Sequence, residues 1–87
     1  MSFNLGQIVI TGGALKANVT RDAEEGLRRH AMGDWGDLSD DDKALNDRAL
    51  VEGDRLLSAY HTSEHVMYWI ITEWDRSVTT ILLPSEY

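Results

Sequence analysis

Two histidines stand at the spacing that a helical zinc site uses. His61 and His65 are four residues apart, with Glu64 beside them. A catalytic zinc takes three protein ligands and keeps a fourth position for water or substrate. The neighbouring residues are typical of a strand end and a turn, where this spacing does not bring two side chains to one face, and no third ligand is evident. The pattern therefore predicts no metal site.

A second metal pattern begins in the acidic segment of the chain. Asp37, Ser39 and Asp41 match the first ligand positions of a calcium loop. The sixth position is Asp42, where the sharp turn requires glycine, and the twelfth is Arg48, where a bidentate glutamate belongs. A calcium-binding loop is therefore excluded. Weak surface binding of a divalent cation is all that the acidic run still allows.

The chain carries no signature of catalysis. It has no cysteine, so it offers no cysteine nucleophile, no disulfide framework and no thiolate metal ligand. Carboxylates, serines and histidines are present, but their spacing does not predict a shared pocket. His30, near the carboxyl end of a predicted helix, is interpreted as a packed side chain that uses the helix dipole. We expect no enzymatic activity, no metal and no cofactor.

Charge is concentrated in one segment of the chain. The 87 residues carry 15 acidic and 8 basic side chains, a net charge of −7. Residues 34–54 hold eight acids and two bases, which is −6, whereas residues 1–33 sum to +1. Affinity for nucleic acid comes from Lys and Arg facing phosphates, so we expect no direct binding to nucleic acid. A basic protein surface is the expected partner.

The predicted contact residues in this segment form an acidic patch. The acidic patch consists of Asp34, Asp37, Asp40, Asp41, Asp42 and Asp47. The alternative is that these carboxylates have no partner. They would then lie on a solvated face, or in the first turn of a helix, where acidic residues are favoured.

The order of apolar patterns predicts an α+β fold. Residues 7–11 are rich in β-branched side chains and precede two glycines, which is typical of a strand and a turn. Helices are predicted over 21–32 and 40–52 from their caps and apolar spacing. Three strands follow, at 56–61, 66–74 and 78–83. The short turns between them force antiparallel neighbours. We expect one domain over residues 1–87, with an antiparallel sheet of about four strands and two main helices on one face.

The middle strand is apolar on both sides, and the two helices can cover only one of them. A contiguous exposed aromatic surface on a protein usually marks a contact. The predicted aromatic contact residues are Tyr68, Trp69 and Trp74, for a partner or for a homodimer. The alternative is that the first strand's flank and the C-terminal residues 84–87 cover this face.

Trp35 lies in a polar loop with Gly33 before it and Gly36 after it. Burying so large an aromatic side chain is worth about 2–3 kcal/mol. We therefore predict that Trp35 folds back and holds the two helices against the sheet, with Asp34 and Asp37 directed outward. The alternative is an exposed Trp35 that anchors a partner.

The N-terminal sequence and the hydropathy of the chain bear on its location. The first six residues lack the basic and apolar regions of a signal peptide, and no run approaches the roughly 18 apolar residues that a membrane span needs. We expect a soluble, cytoplasmic protein without membrane association.

Several segments together resemble one bacterial family. They are Arg29-His30, Gly33-Asp34-Trp35-Gly36-Asp37-Leu38, Leu56-Leu57-Ser58-Ala59-Tyr60 and Trp69-Ile70-Ile71-Thr72-Glu73. The chain resembles the small plasmid-related proteins found on plasmids, phages and other mobile DNA. At the hairpin tip, this sequence has Thr62-Ser63-Glu64-His65 where relatives have a glycine.

The resemblance implies a setting on a mobile element. Small acidic proteins of such elements include inhibitors of host defence that occupy nucleic-acid grooves of restriction or CRISPR enzymes. The implied function is that of a non-enzymatic binding module, including an anti-CRISPR or anti-restriction inhibitor of a host complex that binds nucleic acid. The other expectation is a self-associating structural or accessory protein that dimerises through the aromatic sheet face.

Overall fold

The computed structural model describes residues 3–87, which form three helices, four strands and a final 3-10 turn. In chain order these are β1 (Gln7–Ile10), α1 (Gly12–Lys16), α2 (Thr20–Ala31), α3 (Asp40–Glu52), β2 (Leu56–His61), β3 (Met67–Thr72), β4 (Val78–Leu82) and the turn Pro84–Glu86. The predicted α+β class is confirmed. Within residues 3–87, no helix combines the length and the apolar content needed to cross a membrane.

The four strands form one mixed sheet in the order β1-β4-β3-β2. β2 and β3 pair antiparallel, as do β3 and β4, because short turns join them. β1 pairs parallel with β4, with Ile8 opposite Thr79 and Ile10 opposite Ile81. The prediction of a purely antiparallel sheet is therefore wrong for β1. Three helices separate β1 from β2, and a connection of that length lets a strand enter the sheet in either direction.

The main core lies between the inner face of the sheet and the helices α1 and α2. Its buried residues are Ala14, Val19, Ala23, Tyr60, Tyr68, Ile70 and Ile81. Gly26 allows α2 to approach β3 closely, because a Cβ atom there would lie 3.1 Å from ring carbons of Tyr68. That spacing is tighter than normal packing, so this helix position favours glycine despite its low helix propensity.

A second, smaller core surrounds Trp35, which is 3% exposed. Its indole Nε1–H donates to Asp47 Oδ1 at 2.9 Å, and its ring stacks on Phe3 with centroids 6.3 Å apart. Ala49 and Leu56 complete the buried cluster. The prediction that Trp35 folds back between helix and sheet is confirmed.

The buried side of α3 differs from its predicted apolar stripe. The spacing of Leu38, Leu45 and Ala49 in the sequence predicts that these three side chains form the buried stripe. Leu45 is instead 59% exposed, whereas its neighbour Asn46 is 7% exposed. The helix is rotated so that an amide, rather than a leucine, faces β2. The reason is the hydrogen bonding of Asn46 to the sheet edge, since its two amide atoms both bond the backbone of Leu57.

Candidate functional site

The acidic patch divides into carboxylates with internal partners and carboxylates without them. Asp34 Oδ2 accepts from Arg29 Nε at 2.8 Å, and this guanidinium holds the pKa of Asp34 below its usual value. Asp37 Oδ2 lies 2.6 Å from Nδ1 of His61. Asp47 accepts the indole hydrogen bond of the smaller core. All three remain exposed, but each carboxylate already has a structural role.

The other three carboxylates of the acidic patch lie in the first turn of α3. This turn contains Asp40, Asp41 and Asp42, and Ser39 caps it by accepting from the N–H of Asp42 at 3.1 Å. Carboxylates are favourable at a helix N-terminus because of the helix dipole. Among the described residues, no hydrogen bond or ion pair engages these three side chains. They are the part of the acidic patch that is open to a partner.

An apolar groove lies beside this turn, where α3 meets the outer face of the sheet. Its volume is about 340 Å³. The groove is lined by Leu38, Asp42, Leu45, Asn46, Leu57 and Trp69. Leu45 and Trp69 contribute exposed or half-exposed apolar surface, and Asp42 places a carboxylate at the border. This groove thus combines apolar surface with negative charge.

The three predicted aromatic contact residues are not on one surface. Tyr68 faces the main core at 2% exposure and donates to the backbone carbonyl of Asp22 at 3.2 Å, and its burial raises its pKa to about 12. The prediction that Tyr68 contacts a partner is therefore wrong. Neighbouring strand residues point to opposite faces, so Trp69 is on the outer face, half exposed. Trp74 follows the end of β3 and is 66% exposed.

The C-terminal residues cover part of the outer face. Tyr87 packs edge-on against Trp69 with ring centroids 5.6 Å apart, and the Arg55 guanidinium lies 5.2 Å from the centre of the Tyr87 ring. Glu86 ties this segment to the start of α1, because Oε1 accepts from Thr11 Oγ1 at 2.5 Å. The alternative that residues 84–87 cover this face is therefore realised in part, at Trp69. Trp69 also belongs to the lining of the groove beside α3.

A chain of buried hydroxyl groups holds His30 inside the protein. Ser58 Oγ lies 2.5 Å from Nδ1 of His30, and Thr72 Oγ1 lies 2.8 Å from Nε2. Thr72 Oγ1 is 2.7 Å from Thr79 Oγ1, which donates to the Leu5 carbonyl at 2.6 Å. Because that carbonyl can only accept, Thr79 must accept from Thr72, and Thr72 must accept from Nε2–H of His30. Ser58 then donates to Nδ1.

The Ser58–His30 contact is structural. Both residues are 0% exposed, so no substrate reaches them. Burial lowers the pKa of His30 to about 4, and the nearby charge of Arg76 acts in the same direction. His30 is packed, as predicted, but it is neutral and does not use the helix dipole as a cation.

Asn46 is the site residue that the sequence did not reveal. It lies in the groove lining and bonds the backbone of Leu57, yet an asparagine within a helix carries no signal for such a contact. Across residues 3–87, no three His, Cys, Asp or Glu side chains come together to hold a metal ion.

Comparisons with protein-family models, curated proteins and solved structures find no match to this chain.

Proposed function

We propose that this chain is a non-enzymatic binding module that receives a basic segment of a partner protein in the groove between α3 and the outer sheet face. The observation that carries the proposal is the position of Asp42, at the border of an apolar groove of about 340 Å³. The neighbouring carboxylates of Asp40 and Asp41 extend the negative charge along the same turn.

The groove favours a partner segment with two features. Leu45 and Trp69 offer apolar contacts for one aliphatic or aromatic side chain, and tryptophan is a frequent centre of binding energy at interfaces. The free carboxylates favour a Lys or Arg next to that side chain. Complementary charge of this kind raises association rates and selects against acidic partners.

The resemblance to plasmid-related proteins supports a more specific form of this function. On a mobile element, a small acidic protein benefits its carrier by blocking a host defence complex that binds nucleic acid. The basic surface of such a complex is the kind of partner that the groove fits, with the Asp40–Asp42 carboxylates taking the place of phosphates. We propose this inhibition as the biological role of the module.

Affinity capture from a bacterial host lysate, followed by mass spectrometry, tests the binding function. We expect the wild-type chain to retain a basic protein that Leu45→Ala and the triple variant Asp40→Asn/Asp41→Asn/Asp42→Asn both lose. With the captured protein, the triple variant should also associate at a rate that depends less on salt.

Matched variants control for helix stability and for total charge. Val51→Ala removes an apolar side chain on the same helix that is 79% exposed and lies outside the groove. Glu24→Gln/Glu52→Gln/Asp54→Asn removes the same three charges from the net −7 without touching the groove. Both controls should keep the partner. If Leu45→Ala and the Asp40–Asp42 variant also retain the partner in the capture experiment, the groove is not the binding site.

A further inference from the structure

The two edges of the sheet differ in how their backbone groups are satisfied. At the β2 edge, Asn46 bonds both backbone groups of Leu57, at 2.7 and 3.1 Å. Farther along, the N–H of Asp37 donates to the carbonyl of Ala59 at 2.7 Å, and the N–H of Ala59 donates to the carbonyl of Trp35 at 3.2 Å. This edge is therefore closed to another strand.

The β1 edge has no such cover. The N–H of Gln7 donates to Ser77 at 2.9 Å, and the N–H of Thr11 donates to Ile81 at 3.0 Å, so these residues turn their backbone groups toward β4. In a strand this direction alternates, so the N–H and C=O groups of Ile8 and Ile10 point away from the sheet. No strand of residues 3–87 pairs with them.

Both faces of β1 are exposed as well. Ile8 is 44% exposed on the inner face, and Val9 is 39% exposed on the outer face. The segment Gln7–Thr11 contains no charge and no proline. Sheet edges are normally protected from other strands by lysine, proline or a bulge. β1 contains neither lysine nor proline, so it is open to pairing.

We propose that a second copy of this chain pairs with β1, antiparallel, about a two-fold axis at Val9. The outward backbone groups of Ile8 then bond those of Ile10 in the second copy, and the two Val9 side chains meet at the axis. The segment is complementary to itself because it is uncharged and β-branched throughout its centre. Two sheets of four strands become one continuous sheet of eight.

An apolar groove between α2 and β1 can accept the side chains of the second copy. Its volume is about 340 Å³. Its lining is mostly apolar, from Ile8, Ile10, Ala23, Leu27 and Ile81, and is completed by Thr20 and Glu24. In the proposed pairing, the two isoleucines of the second strand lie on this inner face. They cover the exposed side of Ile8 and remove its apolar surface from water.

The charge distribution favours a second copy as the occupant. α3, with the free carboxylates of Asp40–Asp42, packs on β2 at the far edge of the sheet. Residues 1–33, which contain β1 and α2, have a net charge of only +1. Pairing through β1 therefore brings nearly neutral surfaces together and keeps the acidic segments at opposite ends of the joined sheet.

Sedimentation velocity over a concentration series tests this pairing. We expect the wild-type chain to reach the dimer mass and Ile8→Lys to stay monomeric, because the lysines oppose pairing at the edge. Met67→Lys is the matched control, since Met67 is 38% exposed on the outer face of β3, and it should still dimerise. If the circular dichroism spectrum shows that Ile8→Lys is unfolded, Val9→Lys is used in its place. This variant should also stay monomeric, because it brings two positive charges together at the axis.

A cross-link tests the register of the pair. The chain has no cysteine, so Val9→Cys introduces a single thiol. At the axis the two Val9 residues form a non-hydrogen-bonded pair, so their Cα atoms would be about 4.5 Å apart, within the range that a disulfide spans. Oxidation should convert Val9→Cys to a covalent dimer much faster than it converts Met67→Cys.

Three results would overturn the proposal. The first is a wild-type chain that stays monomeric up to about 1 mM. The second is a dimer that Met67→Lys abolishes and Ile8→Lys leaves intact. The third is a monomeric wild-type chain that captures a host protein, where Ile8→Lys is the only variant that loses this protein. The second result assigns the dimer to the outer face, and the third assigns the β1 edge to a foreign strand. The groove beside α3 is tested by other variants, so either function can fail alone.

Discussion

The side-chain amide of Asn46 bonds Leu57 as a neighbouring strand would. Its Nδ2 donates to the Leu57 carbonyl at 2.7 Å, and its Oδ1 accepts from the Leu57 N–H at 3.1 Å. One side chain thereby satisfies the only two backbone groups with which this residue could extend the sheet. The same contact sets the rotation of α3, because it directs Asn46 inward and Leu45 toward the groove.

Replacing Asn46 should weaken the fold and open the β2 edge. Asn46→Ala removes two hydrogen bonds of roughly 0.5–1.5 kcal/mol each and leaves a part-buried backbone pair without partners. We expect the free energy of unfolding to fall by about 2 kcal/mol and aggregation on warming to increase, since an open edge is a template for pairing. Urea denaturation and light scattering measure both effects. Leu45→Ala is the control, because Leu45 is 59% exposed and should change stability little.

Trp35 should contribute stability rather than partner binding. Trp35→Ala empties a buried site at 3% exposure, so we expect a loss of about 3–5 kcal/mol in urea denaturation. Trp35→Phe keeps an aromatic ring but loses the hydrogen bond to Asp47 and should cost less. Trp74→Ala serves as the control, because Trp74 is 66% exposed and a surface change is normally within about 0.5 kcal/mol. Unchanged stability of Trp35→Ala with lost partner binding would instead make this loop the contact site.

His30 should make the fold less stable in mild acid. Its pKa is about 4 in the folded protein and 6.5 ordinarily, so between these values the unfolded chain binds a proton that the native chain does not. Stability is therefore full above pH 6.5 and falls as the pH drops toward 4, by about 3 kcal/mol at 1.36 kcal/mol per pKa unit. Urea denaturation at several pH values measures this slope.

Two variants and a spectrum separate His30 from the other histidines. His30→Gln should remove most of the slope. His65→Gln, at an exposed site where no side-chain hydrogen bond is formed within residues 3–87, should leave it. Ring resonances in NMR should show His30 with the proton on Nε2, as the hydroxyl chain requires, and titrating near pH 4. A His30 ring that titrates at its ordinary pKa would contradict both the burial and the direction of the hydrogen bonds.

Local sequence signals were enough to predict α2, α3 and the hairpins, but not the short helix α1 (Gly12–Lys16). Ser39 precedes an acidic first turn, and Gly53 adopts a left-handed conformation at φ 78° after the last residue of α3, so both ends of this helix are marked in the sequence. The turns between β2, β3 and β4 are too short for anything but antiparallel pairing. The burial of Trp35 was predictable too, because a large apolar ring gains free energy wherever the chain lets it leave water.

Only the tertiary structure decided how these elements meet. Tyr68 and Trp69 are adjacent aromatic residues, and the alternation of side chains along a strand places them on opposite faces of the sheet. Which of the two faces the core depends on where α2 packs. The direction of β1 depends on a connection of three helices that imposes no local constraint. The role of Asn46 depends on a strand edge that exists only after the sheet has formed. Each is a contact between distant residues, and no short window of sequence contains both partners.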